Sequence, residues 1–163
     1  MLVSFLRVVF ALTAIGVSTG PAQIAYAEAT SVDPINAENG VALKGYDPVA
    51  YFSSGRPTEG ANEYSLRWNG VVYRFASQQN LDAFKANPEK YAPQYGGYCA
   101  YAMSLNRIAD IDPTKWAVVE GKLYLNNGLI AQSLWSLNPA ANIKSADSNW
   151  PLYPKKSAAN AGQ

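Results

Sequence analysis

Apart from Met1, the soft donors of this chain fall in one stretch, YGGYCAYAMS at residues 95–104. It holds the only cysteine, Cys99, and one of two methionines, Met103; the other is Met1, and the chain has no histidine. A helix over 98–105 would place Cys99 and Met103 one turn apart on a single face, so both sulfurs could touch one ion. Thiolate plus thioether suits copper(I), which tolerates low coordination numbers. Zinc wants about four donors, mostly Cys or His, and haem attachment wants paired cysteines with a histidine. The residue types here argue against both. A Ser-His-Asp or Cys-His catalytic arrangement is excluded for the same reason.

The plainer reading makes Cys99 a small buried side chain and Met103 a filler of the core, and it is the favoured one. A redox role for Cys99 is the weaker alternative. A reactive thiol needs a neighbouring cation, and the nearest basic residue after it in sequence is Arg107. A third set of residues could line an aromatic pocket for a planar or apolar small ligand: Tyr46, Asp47, Tyr51, Tyr95, Tyr98 and Tyr101. Ordinary ring packing competes with that reading. Asp47 and Asp112 each precede proline, where turn formation is the expected role. Gly96-Gly97 reads as a backbone bend rather than a phosphate cradle.

Elements able to position these groups can be read along the chain. Residues 1–27 have the form of an export signal: Arg7, the apolar run Val8–Val17, the Gly20-Pro21 break and the small-x-small site Ala25-Tyr26-Ala27. The apolar run is too short for a membrane span. This predicts a periplasmic or secreted protein with no stable membrane anchor after cleavage. Removing Arg7 leaves 12 basic residues against 12 acidic ones, a balance that argues against nucleic acid or anionic lipid as partner. The expected partner is a small ligand, a metal ion or an envelope protein. A single cysteine forms no internal disulfide, so stability must come from packing, and 4 Trp, 11 Tyr and 5 Phe can supply it.

Residues 28–44 read as a lead-in, 45–150 as one domain and 151–163 as a flexible tail. Gly45–Pro48 is expected as a turn, Val49–Phe52 as a short strand, and Ser53–Asn62 as a loop. Tyr64–Trp68 and Val71–Phe75 around Asn69-Gly70 predict a two-residue hairpin. The register would pair Trp68 with Val71, Leu66 with Tyr73 and Tyr64 with Phe75. Ser77 should cap a helix to about Ala86, and Pro88 should start a further turn through Tyr91. A short helix over Tyr98–Leu105 follows. A second hairpin, Trp116–Val119 with Lys122–Leu125, precedes helices near Leu129–Leu137 and from Pro139 towards Asn149. The class is α+β: a small antiparallel sheet of two tight hairpins with several short helices packed on it.

Four motifs in order, GYDPVAYF (45–52), WNGVVYRFAS (68–77), NLDAFKANPEKYAPQYGGYCAYAMS (80–104) and DPTKWAVVEGKLYLN (112–126), resemble the YHS domain family, in particular its exported single-domain branch. The similarity covers about residues 40–126 and runs on towards Asn149-Trp150-Pro151. Together with the export signal and the isolated sulfur pair, the resemblance makes a non-enzymatic binding or accessory module of the cell envelope the leading expectation, with a thiol-dependent redox protein or a tyrosine-lined binding module as alternatives. YHS domains that accompany metal pumps hold a soft or borderline metal through cysteines, at positions that correspond here to Ala50, Ala76 and Asn80. Alanine offers a metal no lone pair and asparagine only a hard neutral oxygen, so that metal site is expected to be lost. Cys99 and Met103 would be the remaining route to copper handling.

Overall fold

The structure, a computed structural model, describes residues 31–153 and 155. The export signal read at 1–27 lies outside the described residues, as does most of the tail. The architecture is α+β, as expected. Its strands are β1 (Ala37–Glu38), β2 (Val41–Ala42), β3 (Ala61–Trp68), β4 (Val71–Phe75), β5 (Asp112–Val119) and β6 (Lys122–Asn126). Its helices are α1 (Ala50–Ser53), α2 (Gln78–Ala86), α3 (Pro88–Tyr91), α4 (Ala100–Ser104), α5 (Gly128–Leu137) and α6 (Pro139–Asn149). No helix among the described residues is long and apolar enough to cross a membrane.

The expectation of one antiparallel sheet is corrected. The two hairpins form separate sheets, a four-stranded one in the order β1-β2-β4-β3 and a two-stranded one of β5 and β6. The first is mixed, because β2 joins β4 in parallel through Val41 and Val72. The described part of the lead-in is therefore built into the sheet, and its Ile35, Ala42 and Leu43 are core residues.

Both hairpin turns rest on positive φ at their two central residues, Asn69 (47°) with Gly70 (85°) and Glu120 (50°) with Gly121 (73°). That is the type I′ pattern, whose twist matches the flanking strands. Trp68 pairs with Val71 and Leu66 with Tyr73, as the sequence suggests, but Tyr64 does not oppose Phe75. An irregularity between Ala61 and Ser65 sets Ala61 against Phe75 instead. The cause lies one residue upstream. The Gly60 N–H donates to the Gly45 carbonyl at 2.9 Å, and a Cβ at Gly60 would collide with the Arg74 backbone. Glycine lets β3 approach β4 there and shifts the register.

A second correction concerns Val49–Phe52. That run is helical, not extended, because the Asp47 carboxylate accepts the N–H groups of Val49 and Ala50 at 2.8 and 3.3 Å. An acceptor followed by proline is a helix-start signal, and it outweighs the β propensity of the apolar run. The helix expected over Tyr98–Leu105 is confined to α4, with Cys99 at its N-cap.

Two cores flank β6. Leu123 and Leu125 face a cluster with Tyr51, Tyr73, Phe75, Phe84 and Cys99. Tyr124, pointing the opposite way as strand alternation requires, packs with Tyr95, Ala100, Met103, Trp135 and Ala146. The β5–β6 hairpin is thus a wall between two packed compartments.

Candidate functional site

Ala50, Ala76 and Asn80, the positions that the resemblance matches to metal thiols, come together around a carboxylate. Asp47 is fully buried. Its Oδ1 accepts the two α1 N–H groups. Its Oδ2 accepts the Ala76 N–H at 2.8 Å and the Asn80 side-chain amide at 2.6 Å. Ser77 caps α2 by accepting the Asn80 N–H at 3.2 Å, which holds the Asn80 amide over Asp47. Four N–H donors saturate one buried charge, as burial of a carboxylate demands. Ala50 and Ala76 take part through backbone N–H groups, which bind anions and repel cations. The residues present do not fit a soft metal ion. Asp47, read as a turn former or pocket acid, is the turn former, and it also ties α1 to α2. Among the described residues no group of three His, Cys, Asp or Glu side chains could hold a metal ion.

The two sulfurs are neighbours in sequence but pack in different compartments. Cys99 belongs to the core that contains Leu123 and Leu125, and Met103 to the core that contains Tyr124. Both are buried, at 1% and 0% exposure. The Cys99 sulfur accepts the backbone N–H groups of Asn127 at 3.2 Å and Ala102 at 3.4 Å, and lies 3.8 Å from Asn126 Oδ1. The backbone N–H of Met103 closes the first helical turn onto the Cys99 carbonyl at 2.9 Å. One turn apart along the backbone is therefore not one packing site: Cys99 stands at the N-cap, outside the helical run, with ψ at 116°, and Met103 lies within α4.

The tyrosines are likewise distributed. The Tyr51 hydroxyl donates to the Pro113 carbonyl at 2.9 Å, and its ring meets Trp116 edge-on at 5.2 Å. Burial pushes its phenol well above the usual range. Tyr46 is half-buried and reaches Glu59 at 3.4 Å. Tyr101 lies partly buried against both cores, its N–H donating to Asn126 Oδ1 at 3.0 Å. Tyr95 and Tyr98 pack against Trp150, with centroids 6.4 and 6.0 Å away. Among the described residues the six candidates are thus spread over separate surroundings and do not line one hollow together.

An aromatic groove exists elsewhere, and tryptophans that the sequence reading did not single out form its walls. Two adjoining hollows, of about 510 and 530 Å³, share Trp68, Ala92, Pro93, Gly96 and Trp150. One end is polar, with Glu89, Gln94, Lys122 and Asp147; the other is closed by Pro34, Ile35 and Tyr73 beside the Asn69-Gly70 turn. Of the six candidates only Tyr95 lines it. Both tryptophans are half-buried. Trp68 is fixed edge-on to Tyr73 and Phe84 at 5.8 and 5.7 Å. Trp150 carries the Lys155 ammonium 3.4 Å from its ring centre, a cation–π contact. The position of Trp68 next to the Asn-Gly turn was the available signal, since a large ring at a hairpin end has packing on one side only.

The groove floor explains the YGG motif. Tyr95, Gly96 and Gly97 all have positive φ, at 55°, 61° and 80°. A Cβ on Gly96 would collide with the Pro34 carbonyl oxygen, and Asn36 zips to this bend, its N–H donating to Gly96 O at 2.8 Å and its amide to Gly97 O at 3.2 Å. Left-handed backbone is costly for tyrosine and persists where surroundings enforce it. Here the Tyr95 hydroxyl donates to Asp147 at 2.9 Å, which locks the bend to α6. Burial first, and then Asp147, raise the Tyr95 phenol far above its ordinary value.

Comparison with known proteins gives one match: the family model described as the YHS domain covers residues 49–95. No curated protein and no solved structure matches the chain. The matched stretch begins at α1, contains the β3–β4 hairpin and α2, and ends at the strained Tyr95. It therefore includes all three positions gathered around Asp47. The chain carries a YHS domain at residues 49–95, and Ala50, Ala76 and Asn80 all lie within it.

Proposed function

We propose that this protein is an exported, non-enzymatic binding module of the cell envelope, and that it takes a planar organic ligand with a polar end between Trp68 and Trp150. The observation that carries the reading is the pair of half-buried tryptophans on the segment shared by the two hollows. Apolar walls with a few convergent polar groups are the usual make-up of a small-molecule site. Glu89, Gln94, Lys122 and Asp147 would receive the polar end. Rings held by neighbouring aromatics lose little freedom when a ligand stacks on them. The absence of histidine and the saturation of the one thiol support binding rather than catalysis. Export rests on the signal-like segment at 1–27.

The test is a thermal-shift screen of planar aromatic acids and amines, with copper(I) as a separate arm, on wild type, Trp68→Ala, Trp150→Ala and Cys99→Ala. Stabilisation by an aromatic compound that is lost in both tryptophan variants and kept in Cys99→Ala supports the groove. A shift that appears only with copper(I) and disappears in Cys99→Ala would replace this reading by the sulfur one.

A further inference from the structure

Helix α5, GLIAQSLWSL, carries large apolar side chains on its outer side as well as its inner one. Its inward side contains Gln132, whose side chain accepts from the Asn126 amide at 2.8 Å and donates to the Trp116 carbonyl at 3.2 Å. Trp135 is its only buried residue. Its outward side contains Leu129, Ile130, Leu134 and Leu137, which are 41–80% exposed. Ile130, Leu134 and Leu137 follow the i, i+4, i+7 spacing of one helical stripe. Leu105, at 52% exposure, lies across a hollow of about 350 Å³ from Ile130, with Ile108 and Ala131 in its lining. Five of the six large apolar side chains exposed among the described residues thus belong to one continuous face. Such concentration marks an interaction surface, whereas scattered single residues need no explanation.

We infer that this face is the contact between two copies of the chain, related by a two-fold axis. An isologous contact must be complementary to itself. This face offers both halves of the fit, a ridge along Ile130, Leu134 and Leu137 and, beside it, the hollow edged by Leu105. Helix α5 has no charged residue, so a copy facing it meets no like charge at short range. The summed exposure is worth about three complete aliphatic side chains, on the order of 500 Å² a copy and ~1,000 Å² over both, the lower bound for a specific interface and the size of a weak dimer. A lipid surface is the poorer occupant, because membrane-seated helices line their apolar face with lysines and arginines, and here Arg107 alone lies at the rim of the hollow.

The experiment is sedimentation velocity on the protein as the cell produces it, up to about 300 µM, a range that detects dimers of ordinary affinity. Wild type is expected to sediment as a dimer. Ile130→Asp and Leu134→Asp should each weaken self-association at least ~100-fold while keeping the wild-type circular-dichroism spectrum, since both side chains are exposed in the single chain. Leu152→Asp, equally exposed but outside the face, should leave the dimer intact. A wild-type monomer at the highest concentration overturns the inference. So does a dimer indifferent to Ile130→Asp, and so does co-flotation with phosphatidylcholine–phosphatidylglycerol vesicles that Leu134→Asp abolishes.

Discussion

Removal of the Asp47 carboxylate is the sharpest perturbation of this fold. In Asp47→Ala four N–H donors lose their acceptor at once: Val49, Ala50, Ala76 and the Asn80 amide. A hydrogen bond to a charged acceptor is worth ~1.5–3 kcal/mol, but four that share one carboxylate do not add, and four N–H donors left together without their acceptor cost about 3–5 kcal/mol in all. Against a total stability of about 5–15 kcal/mol that is a large fraction, and it lowers Tm by roughly 10–20 °C. Asp47→Asn keeps the shape but turns an NH2 group towards two donors, so it should cost about 2 kcal/mol. Asn80→Ala removes one donor, leaves three, and should cost about 1 kcal/mol. Chemical denaturation of the three variants gives the order directly. The hub account fails if Asp47→Asn lies within ~0.5 kcal/mol of wild type, or if Asn80→Ala costs more than Asp47→Ala.

Three further outcomes follow from the same geometry. Gly96→Ala places a methyl against the Pro34 carbonyl in a left-handed backbone and should cost at least ~2 kcal/mol, measured by urea unfolding, whereas Gly70→Ala, with nothing near its Cβ position, should pay only for its φ, ~1 kcal/mol. Burial raises the phenols of Tyr51, Tyr73 and Tyr95 above the ordinary value near 10. The unfolded chain then releases protons that the folded one retains, so stability is fully present below pH ~10 and falls as pH climbs above it. Spectrophotometric titration should show these three tyrosines ionising only as the protein unfolds. Cys99, enclosed and accepting two backbone N–H groups, should alkylate at least ~100-fold more slowly in the folded protein than in denaturant, and equal rates would reopen a redox role.

What the sequence made legible follows the range of the interactions involved. Turn and cap signals are local, so the Asn69-Gly70 hairpin, the Ser77 cap of α2 and the span of α6 from Pro139 to Asn149 agree with expectation. Asp47-Pro48 was an equally local helix start, but the apolar run Val49–Phe52 drew the reading towards a strand. The Tyr64–Phe75 pairing failed because the shift arises at Gly60, through contacts with Gly45 and Arg74 that no strand periodicity encodes. The separation of Cys99 from Met103 was invisible for a related reason. It depends on which side of β6 each residue faces, a property of how the hairpin stacks in three dimensions. The groove was missed because its walls, Trp68 and Trp150, are far apart in the chain and meet only through the left-handed bend at Tyr95-Gly96. That bend was visible as a glycine pair, but its tie to Pro34 and Asn36 was not.

The proposed ligand seat is the Trp68–Trp150 groove. Two-dimensional amide and indole NMR of the labelled protein, titrated with planar aromatic acids, tests it most directly. Binding there should concentrate the shifts on the indole N–H signals of Trp68 and Trp150 and on the amides of Ala92, Gly96 and Lys122. Shifts centred on Cys99, Met103 and Asn127 with the groove unmoved would contradict it.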